Sequence, residues 1–388
     1  MVKLGSIIIQ VRGVSYSPKD LRDSLNDESV ILLRANNIQD GKINFDDVVY
    51  IDKKKVNKNQ YLCQGDVLIC TSSGSKKLVG KAAYCTENIE VTFGTFCKAI
   101  RPSIKCKEFI GHFFNSPYYR GKISSLSSGA NINNIRNEHI DNLEINLPDE
   151  NIQEVVTQKL NLLNKIIVAR QAQLSKLDQL VKSRFIEMFG EIIKNDRNWP
   201  TFQLSEIADS RLGKMLDSKR QTGTTSFYYL ANFNVQWFSI DTSKLNKMDF
   251  DIKEQLEFQL RDGDVLVCEG GEIGRCAVWR NQISPCFFQK ALHRIRCKKN
   301  IILPDYLTWW FKFNSDNKTF ESIAGAKATI AHLTGVKLKK LLIATPPIHL
   351  QEQFAAFVQH VEKAKSSVKQ SLEKLETLKK SLMQEYFG

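Results

Sequence analysis

Two carboxylates in this chain have a spacing that catalytic chemistry could use. Asp264 and Glu269 flank a short apolar run and could form the metal-binding pair of a nuclease. The matching positions earlier in the chain hold Asp66 and Thr71, and no Glu-x-Lys sequence follows. Metal-assisted hydrolysis needs a cluster of oxygen ligands, which the earlier position lacks. The spacing therefore does not predict a nuclease centre.

Two further motifs are incomplete. Gly74 to Lys81 resembles a phosphate-binding loop, but five residues instead of four separate Gly74 from Gly80, and Ala82 replaces the required Ser or Thr. We interpret it as a loop that could touch DNA phosphates. Thr345-Pro346-Pro347-Ile348 resembles the Asn/Asp-Pro-Pro-aromatic motif of amino-methyltransferases, but it lacks the acid or amide and the aromatic residue. A helix N-terminus explains it better, and no catalytic constellation emerges.

The charge and the cysteines narrow the class of protein. The 388 residues carry 55 Lys and Arg against 42 Asp and Glu, so the net charge is +13 and favours polyanionic partners, nucleic acid first. Nine cysteines form no CxxC pair and the six histidines show no ligand-like spacing, which argues against zinc and disulfides and suits the cytoplasm. No apolar run is long enough for a membrane span. The N-terminal MVKLGSIIIQVRG predicts a strand rather than a secretory signal.

Basic and amide residues on loops are the candidates for nucleic-acid contact. Amide and guanidinium groups can form paired hydrogen bonds with base edges, whereas lysines mainly neutralise phosphate. The candidates before residue 148 are Arg12, Lys19, Arg34, Asn36, Ser73, Lys76, Lys77 and Lys81. Those after residue 198 are Lys214, Lys219, Arg220, Asn232, Asn234, Gln236, Arg275 and Lys327. A solvated surface side chain is the alternative for each one. Trp237, Trp309 and Trp310 are interpreted as core residues.

The elements that position these loops include one long amphipathic segment that occurs twice. It spans 148–190 and 346–388, with a constant offset of 198 (388 − 190). Apolar residues recur three and four apart, the periodicity of a coiled coil, so each copy predicts a helix roughly 60 Å long. The predicted helix-packing residues are Leu160, Leu163, Ile167, Leu174, Leu177, Val181, Val358, Val361, Val368, Leu372, Leu375 and Leu382. Arg170, Lys365 and Lys379 fall on the same stripe without an explanation from the sequence.

Mixed α/β globules precede each helix and repeat the same order of elements. Gly65-Asp66 and Gly263-Asp264, again 198 apart, each lead into a buried strand. The segment 107–126 predicts a helix with a break near Pro117. Matching strands with differing loops indicate two related surfaces that read different targets. The predicted division is a globule at 1–147, a helix at 148–190, a linker at 191–198, a globule at 199–345 and a helix at 346–388.

Together these residues resemble the specificity subunits of Type I restriction–modification systems over nearly the whole chain. The resemblance rests in the first half on VRGVSYSPKD, on LLRANNI with INFDDVVYI, and on the Gly-Asp-Val-Leu strand. In the second half it rests on GKMLDSKR, YLANFNVQW, GGEIGR and the loop Gly325–Leu333. Both helices begin near a Gln-Glu pair and end in Phe-Gly. One departure is that the first globule lacks the Trp199-Pro200 sequence that introduces the second.

The resemblance implies an α+β fold. Two α/β target recognition domains would be separated by two long helices, packed as an antiparallel coiled coil with a pseudo-twofold internal duplication. Each domain would bind one half of a bipartite, asymmetric site in double-stranded DNA, and the chain would carry no catalytic residue, metal or cofactor. Expected partners are two modification subunits, which methylate adenine with S-adenosylmethionine, and two restriction subunits, which use ATP and Mg.

Two other functions stay open at the level of residues. One is a self-contained DNA methyltransferase or nuclease with its own recognition domains, which bound S-adenosylmethionine would reveal. The other is a coiled-coil scaffold whose globules bind protein, which an absence of salt-sensitive DNA binding in the assembled complex would favour.

Overall fold

The computed structural model describes residues 1–75, 78–128, 134–217, 221–320 and 332–388. The chain forms two compact units. Unit 1 comprises Met1–Ala172 and Val368–Gly388, and unit 2 comprises Gln173–Ser367. Each long helix therefore contributes one part to unit 1 and the other part to unit 2.

Unit 1 is built on two four-stranded sheets. Its described strands are β1 (Val2–Lys3), β2 (Ile8–Arg12), β3 (Leu21–Arg22), β4 (Ser29–Leu33), β5 (Ile38–Gln39), β6 (Lys42–Ile43), β7 (Val49–Asp52), β8 (Val67–Cys70), β9 (Ala82–Tyr84), β10 (Val91–Phe93), β11 (Cys97–Pro102) and β12 (Glu144–Ile145). Its described helices are α1 (Lys107–Phe113), α2 (Pro117–Ser128), α3 (Asn137–Asp141) and the start of α4 (Glu150–Phe189). One sheet is antiparallel with order β2-β11-β8-β9, and the other has order β10-β4-β7-β3 with β10 parallel to β4. The break predicted near Pro117 is confirmed.

The strand β8 lies in the middle of unit 1 because all four of its side chains are apolar. Val67 and Ile69 face a core shared with the helices, whereas Leu68 and Cys70 face a second core beneath the loops. This alternation follows from the two-residue period of a strand. Both faces of the sheet are covered, so the loops after β8 rest on a rigid base.

Unit 2 repeats this arrangement. Its described strands are β13 (Thr201–Gln203), β14 (Ala208–Leu212), β15 (Ser226–Leu230), β16 (Val235–Gln236), β17 (Ser239–Ile240), β18 (Asn246–Asp249), β19 (Val265–Cys268), β20 (Cys276–Val278), β21 (Phe287–Phe288), β22 (Leu292–Cys297) and β23 (Leu342–Ala344). Its described helices are the end of α4, α5 (Leu204–Ile207), α6 (Ile252–Phe258), α7 (Pro304–Asp316), α8 (Gly335–Lys339) and the start of α9 (Ile348–Phe387). The sheet β14-β22-β19-β20 corresponds to β2-β11-β8-β9, and β18-β15-β21 to β7-β4-β10.

The beginnings of the two units also correspond. The strand β1 pairs with β12 as β13 pairs with β23, although unit 1 has no Trp-Pro sequence before its first strand. The helix α6 has no helical counterpart after β7, where unit 1 has short 3₁₀ turns at Lys53–Lys55 and Lys58–Gln60. The duplication therefore preserves the sheets and changes the connections between them.

The two predicted long helices are confirmed, each with 40 residues. In unit 1, Leu160 near the start of α4 and Phe387 at the end of α9 belong to one core. In unit 2, Phe185 near the end of α4 and Phe354 near the start of α9 belong to one core, with ring centroids 5.3 Å apart. The start of each helix thus packs with the end of the other, so the helices are antiparallel. No described helix is long and apolar enough to cross a membrane.

The predicted helix-packing residues are all buried or half-buried. Leu174, Leu177, Leu372 and Leu375, near the middle of the helices, are half-buried, and the remaining eight include fully buried Leu160. The stripe therefore faces inward along both helices.

One of the charged stripe residues, Lys365, now has an explanation. Lys365 Nζ lies 2.8 Å from the Asp178 carboxylate of the other helix and 2.7 Å from Glu362. Lys379 is half-buried, and burial lowers the pKa of its ammonium group.

The predicted linker, 191–198, is a compact turn that packs on unit 2. Ile192 is buried in the core of that unit. The Trp199 indole Nε1 donates a hydrogen bond to the carbonyl of Phe189 (2.9 Å), and Arg197 Nη2 donates to the carbonyl of Glu187 (2.7 Å). These bonds satisfy carbonyls at the end of α4, which the helix itself leaves free.

Candidate nucleic-acid interface

A buried asparagine shapes the loop after β4 in unit 1 and the loop after β15 in unit 2. In unit 1, Asn37 Nδ2 donates to the carbonyls of Asn44 (2.9 Å) and Asp47 (2.8 Å), and its Oδ1 accepts from the amide of Arg34 (2.7 Å). The side chain thus replaces backbone partners that a loop cannot supply. The turn that it closes places Arg34 and Asn36 at the surface.

Asn234 does the same in unit 2. Its Nδ2 donates to the carbonyls of Asp241 and Lys244 (both 2.9 Å), and its Oδ1 accepts from the amide of Ala231 (2.9 Å). Asn234 is 1% exposed, and all of its polar atoms are engaged. The prediction that it contacts DNA is therefore wrong, because the amide serves the loop and cannot reach a base.

The Gly-Asp sequences before β8 and β19 also have a structural role. Asp66 is 1% exposed and accepts from Arg101 Nε (2.9 Å) and Nη2 (2.7 Å). Asp264 is equally buried and accepts from Arg296 Nε and Nη2 (both 2.8 Å). These bonds raise the pKa of each guanidinium. A carboxylate held in a bidentate ion pair with arginine is not available as a metal ligand. The nuclease interpretation therefore has no support at Asp264.

A cleft of about 560 Å³ opens where three loops of unit 1 meet. Arg34 and Asn36 enter it from the turn after β4, and Ser73 enters it from the loop after β8. Phe96 forms the third wall, from the turn between β10 and β11. Three of the predicted contact residues, which are up to 39 residues apart in sequence (73 − 34), therefore come together.

Two polar side chains of this cleft bind the same exposed carboxylate. Arg34 Nη2 lies 3.0 Å from Asp47, and Asn36 Nδ2 donates to the same carboxylate (2.7 Å). Asp47 is 74% exposed, so water screens this ion pair and its net contribution to stability is small. Arg34 Nε has no hydrogen-bond partner. Because Asp47 is exposed, the guanidinium of Arg34 and the amide of Asn36 can exchange it for a base edge, with which each can form two hydrogen bonds.

Phe96 is the residue of this cleft that sequence reasoning missed. Its side chain is 63% exposed, although burial of a phenyl ring would stabilise the protein. Flat apolar groups contact the thymine methyl group or stack on unpaired bases. Its position directly after Gly94-Thr95, between two strands, was the available signal, since a turn can hold an aromatic ring away from the core.

The corresponding loops of unit 2 carry different side chains. Asn232 Nδ2 donates to the carbonyl of Gly270 (3.2 Å), and Arg275 Nη2 donates to the carbonyl of Asn232 (3.1 Å). The Trp237 indole donates to the Glu272 carboxylate. Asn232 and Arg275 therefore tie two loops to each other, while Gln236 is exposed.

The remaining predicted contact residues divide into three groups. Arg12 and Lys19 are exposed and Lys81 is half-buried, all in unit 1. Lys214 is held, with Nζ 2.6 Å from the carbonyl of Asp249 and 2.5 Å from the Glu254 carboxylate. Five predicted residues lie outside the described part of the chain: Lys76, Lys77, Lys219, Arg220 and Lys327. The described part of the chain holds no cluster of three or more His, Cys, Asp or Glu side chains that could bind a metal ion.

Comparison with known proteins identifies the family of this fold and surface. The family model of the Type I restriction modification DNA specificity domain matches the chain twice, at residues 1–179 and 196–377. The specificity subunit of the Type I restriction enzyme EcoKI of Escherichia coli (strain K12) is 28% identical over 408 residues. That match covers 99% of this chain and 87% of the relative. The StySPI specificity subunit of Salmonella potsdam is also 28% identical, with the same coverage.

Solved structures share the fold. The S subunit of a Type I restriction–modification system from M. genitalium aligns with a TM-score of 0.59 at 13% identity, covering 100% of this chain and 95% of that one. A chain from a structure of a type I R-M system aligns with a TM-score of 0.62 at 15% identity, covering 100% and 96%.

Proposed function

Because this chain belongs to the Type I restriction–modification DNA specificity family, we propose that it reads a bipartite, asymmetric site in double-stranded DNA. Unit 1 reads one half-site and unit 2 the other. The net charge of +13 supplies the attraction to the phosphate backbone. Loop side chains supply the discrimination between bases.

One observation carries the proposal: the two units share a buried frame and present different loop surfaces. The turn that places Arg34 and Asn36 in the unit 1 cleft places Ala231 and Phe233 at the corresponding positions of unit 2. Phe96 corresponds to Ala291, since Cys97 and Leu292 pair with equivalent residues of β8 and β19. Different side chains at equivalent places contact different bases, so the two half-sites differ in sequence.

The two long helices set the separation of the half-sites in this proposal. Both helices contribute to both units, and each is a continuous helix of 40 residues. A helix keeps a defined rise per residue, whereas a flexible linker of the same length would allow many separations. The spacer between the half-sites is therefore a property of the helices and not of the loops.

The catalytic steps belong to partner subunits in this proposal. Two modification subunits methylate adenine with S-adenosylmethionine, and two restriction subunits cleave DNA with ATP and Mg. Exposed apolar side chains on the part of α4 in unit 1, among them Ile152, Val155 and Leu162, are 43–58% exposed and offer a docking surface for the modification subunits. The nine free thiols suit action in the reducing cytoplasm.

DNA binding by the chain assembled with its modification subunit tests the proposal. We expect retention of DNA in a gel-shift or anisotropy titration, with the logarithm of the affinity falling linearly with the logarithm of salt concentration. Arg34→Ala should weaken binding to the recognised site more than to unrelated DNA. Equal affinity for all sequences, or binding that ignores salt, would contradict a sequence-reading role.

A further inference from the structure

An exposed phenyl ring lies at the tip of the turn after β15 in unit 2. Phe233 is the central residue of the short 3₁₀ turn Asn232–Asn234, and it is 55% exposed. Single exposed apolar side chains are common on protein surfaces, so exposure alone gives this ring no role. Phe233 differs from such residues because its turn is rigid and belongs to the loops proposed to read DNA.

Side-chain hydrogen bonds fix the backbone on both sides of this ring. Gln236 Nε2 donates to the carbonyl of Phe233 itself (3.0 Å), and Arg275 Nη2 donates to the carbonyl of Asn232 (3.1 Å). The buried amide of Asn234 closes the same turn. A side chain on a fixed backbone has less freedom to lose on binding, so its contacts contribute more fully to affinity.

The same turn in unit 1 carries a polar side chain at its tip. Gln39 Nε2 donates to the carbonyl of Asn36 (3.0 Å), as Gln236 does to the carbonyl of Phe233. The hydrogen bonds of the turn are thus repeated, while its tip changes from an amide that can bond a base edge to a phenyl ring that cannot. A position that varies within a repeated frame can encode a different base preference.

The residue beside the tip changes its charge as well. Asn37 Nδ2 donates to the carbonyl of Asp47. Asn234 Nδ2 donates to the carbonyl of Lys244, so Asp47 and Lys244 occupy equivalent places. The carboxylate of Asp47 accepts a hydrogen bond from Asn36, whereas Lys244 is exposed. An ammonium group beside the turn attracts the phosphate backbone, which a carboxylate there would repel.

Double-stranded DNA offers a phenyl ring few apolar partners. Stacking covers the faces of the bases, and a ring inserted between them costs the free energy of unstacking a base step. Among the groups that the base edges present in the major groove, the 5-methyl group of thymine is the apolar one. A ring at the tip of a rigid turn can therefore contact thymine without unstacking the duplex.

We propose that Phe233 is a specificity-determining residue of unit 2, whose ring contacts the 5-methyl group of a thymine while Lys244 binds a phosphate. The inference rests on the proposed DNA-reading function and names one base of the half-site that unit 2 reads. A lysine contact to phosphate carries no base preference. Phe233 thus supplies discrimination, and Lys244 supplies affinity.

Replacement of thymine by deoxyuridine tests the proposal, because it removes the methyl group and keeps the base pairing. The chain, assembled with its modification subunit, is titrated with duplexes of the recognised site in which each thymine is replaced singly. The unit 2 half-site is the one that changes when residues 199–345 are exchanged. We expect one replacement in that half-site to weaken binding about fourfold, the effect of one buried methyl group. A unit 2 half-site without a methyl-sensitive thymine overturns the proposal.

Variants of Phe233 assign the methyl contact to its ring. Phe233→Ala should weaken binding to the thymine duplex and should bind the thymine and deoxyuridine duplexes equally, since both changes remove the same contact. Phe233→Leu keeps an apolar side chain and should keep the preference for thymine. A full methyl effect in Phe233→Ala overturns the assignment. So does a loss of affinity in Phe233→Ala that no deoxyuridine replacement reproduces, which would indicate a ring inserted between base pairs.

Lys244→Ala is the matched control on the same turn. It should weaken binding to all duplexes alike and reduce the dependence of log affinity on log salt concentration by about one unit of slope. The preference for thymine should stay as in the wild-type protein, and its loss would contradict the division of roles between the two residues. Thermal unfolding midpoints should match the wild-type value in these variants, because both side chains are exposed.

The outcomes distinguish this inference from the wider function. A complex that prefers its site but is insensitive to every thymine methyl group of the unit 2 half-site overturns the role of Phe233 alone. A complex that binds all sequences equally overturns the proposed function, and the role of Phe233 with it.

Discussion

Unit 1 and unit 2 share two sets of buried polar interactions and differ in the loop surfaces that surround them. Asn37 and Asn234 each bond the carbonyls seven and ten residues onward, and Asp66 and Asp264 are each held by an arginine through two hydrogen bonds. The loops around these frames share few side chains. The difference teaches that a buried frame whose polar groups are all hydrogen-bonded allows its loops to change independently.

The units differ in their cores as well. Unit 2 packs Phe185, Phe189 and Phe354 with Tyr306, whereas the corresponding helix positions of unit 1 include Met383 and Val156. Unit 1 also holds a polar pair in its core, with His112 Nε2 3.0 Å from Asn161 Oδ1. The buried His112 makes the stability of unit 1 sensitive to acid.

Replacing residues 199–345 by the same region of another family member should exchange one half-site completely and leave the other intact. The reason is that the frame of unit 1 receives its polar bonds from within unit 1. Mapping methylated adenines in cells that carry the modification subunit measures both half-sites. Simultaneous change in both would break the view of independent units.

Insertion of one heptad in both α4 and α9 should lengthen the spacer without altering either half-site. Seven residues add about 10 Å of helix and keep the packing stripe facing its partner. At about 34 Å per ten base pairs, the spacer should grow by roughly three base pairs. Insertion in only one helix is the control and should destabilise the protein, because the two stripes fall out of register.

Asp66→Ala and Asp264→Ala should each lower the free energy of unfolding by about 3–5 kcal/mol, since each leaves a partly buried guanidinium without its partner. Chemical denaturation measures this loss. Asp47→Ala is the matched control, because its exposed pair with Arg34 contributes less than about 1 kcal/mol. A large loss for one aspartate and none for the other would show that the shared frame is not equally important in the two units.

Acid should weaken the wild-type protein more than the variant His112→Gln. Burial lowers the pKa of His112 to about 4, below its ordinary value of 6.5. The unfolded chain therefore binds a proton that the folded chain resists, and stability falls as pH drops from 6.5 towards 4. At pH 5 the loss is about 2 kcal/mol. Thermal unfolding midpoints at pH 7 and pH 5 measure it, and an equal acid shift in both proteins would refute this account.

Single substitutions in the unit 1 cleft should have the smallest effects. Arg34→Ala or Asn36→Ala should cost about 1–3 kcal/mol of discrimination at one base pair of one half-site. Lys19→Ala serves as the control, since loss of a phosphate contact weakens binding to all sequences alike. Competition binding with single-base variants of the site separates the two. Relaxed reading in the other half-site would contradict the assignment of the cleft to one half.

Periodicity and repetition in the sequence predicted the fold well. The three-four spacing gave both helices to within two residues, and the paired Gly-Asp sequences located the central strands. The site residues were harder to predict from the sequence. Asn234 has an amide that could recognise a base, but in the structure this amide holds the backbone of its own loop. Its identity with Asn37 in the other copy was a usable signal, since residues that repeat belong to the frame. Lys214 could not be predicted, because Glu254 lies on α6, which unit 1 lacks.

A genome-wide map of methylated adenines, made after co-expression of this chain with its modification subunit, tests the central claim most directly. Two units with a shared frame and different loops predict a single bipartite motif with two unlike half-sites and one fixed spacer. A palindromic motif, a single undivided motif or methylation without a motif would contradict that account.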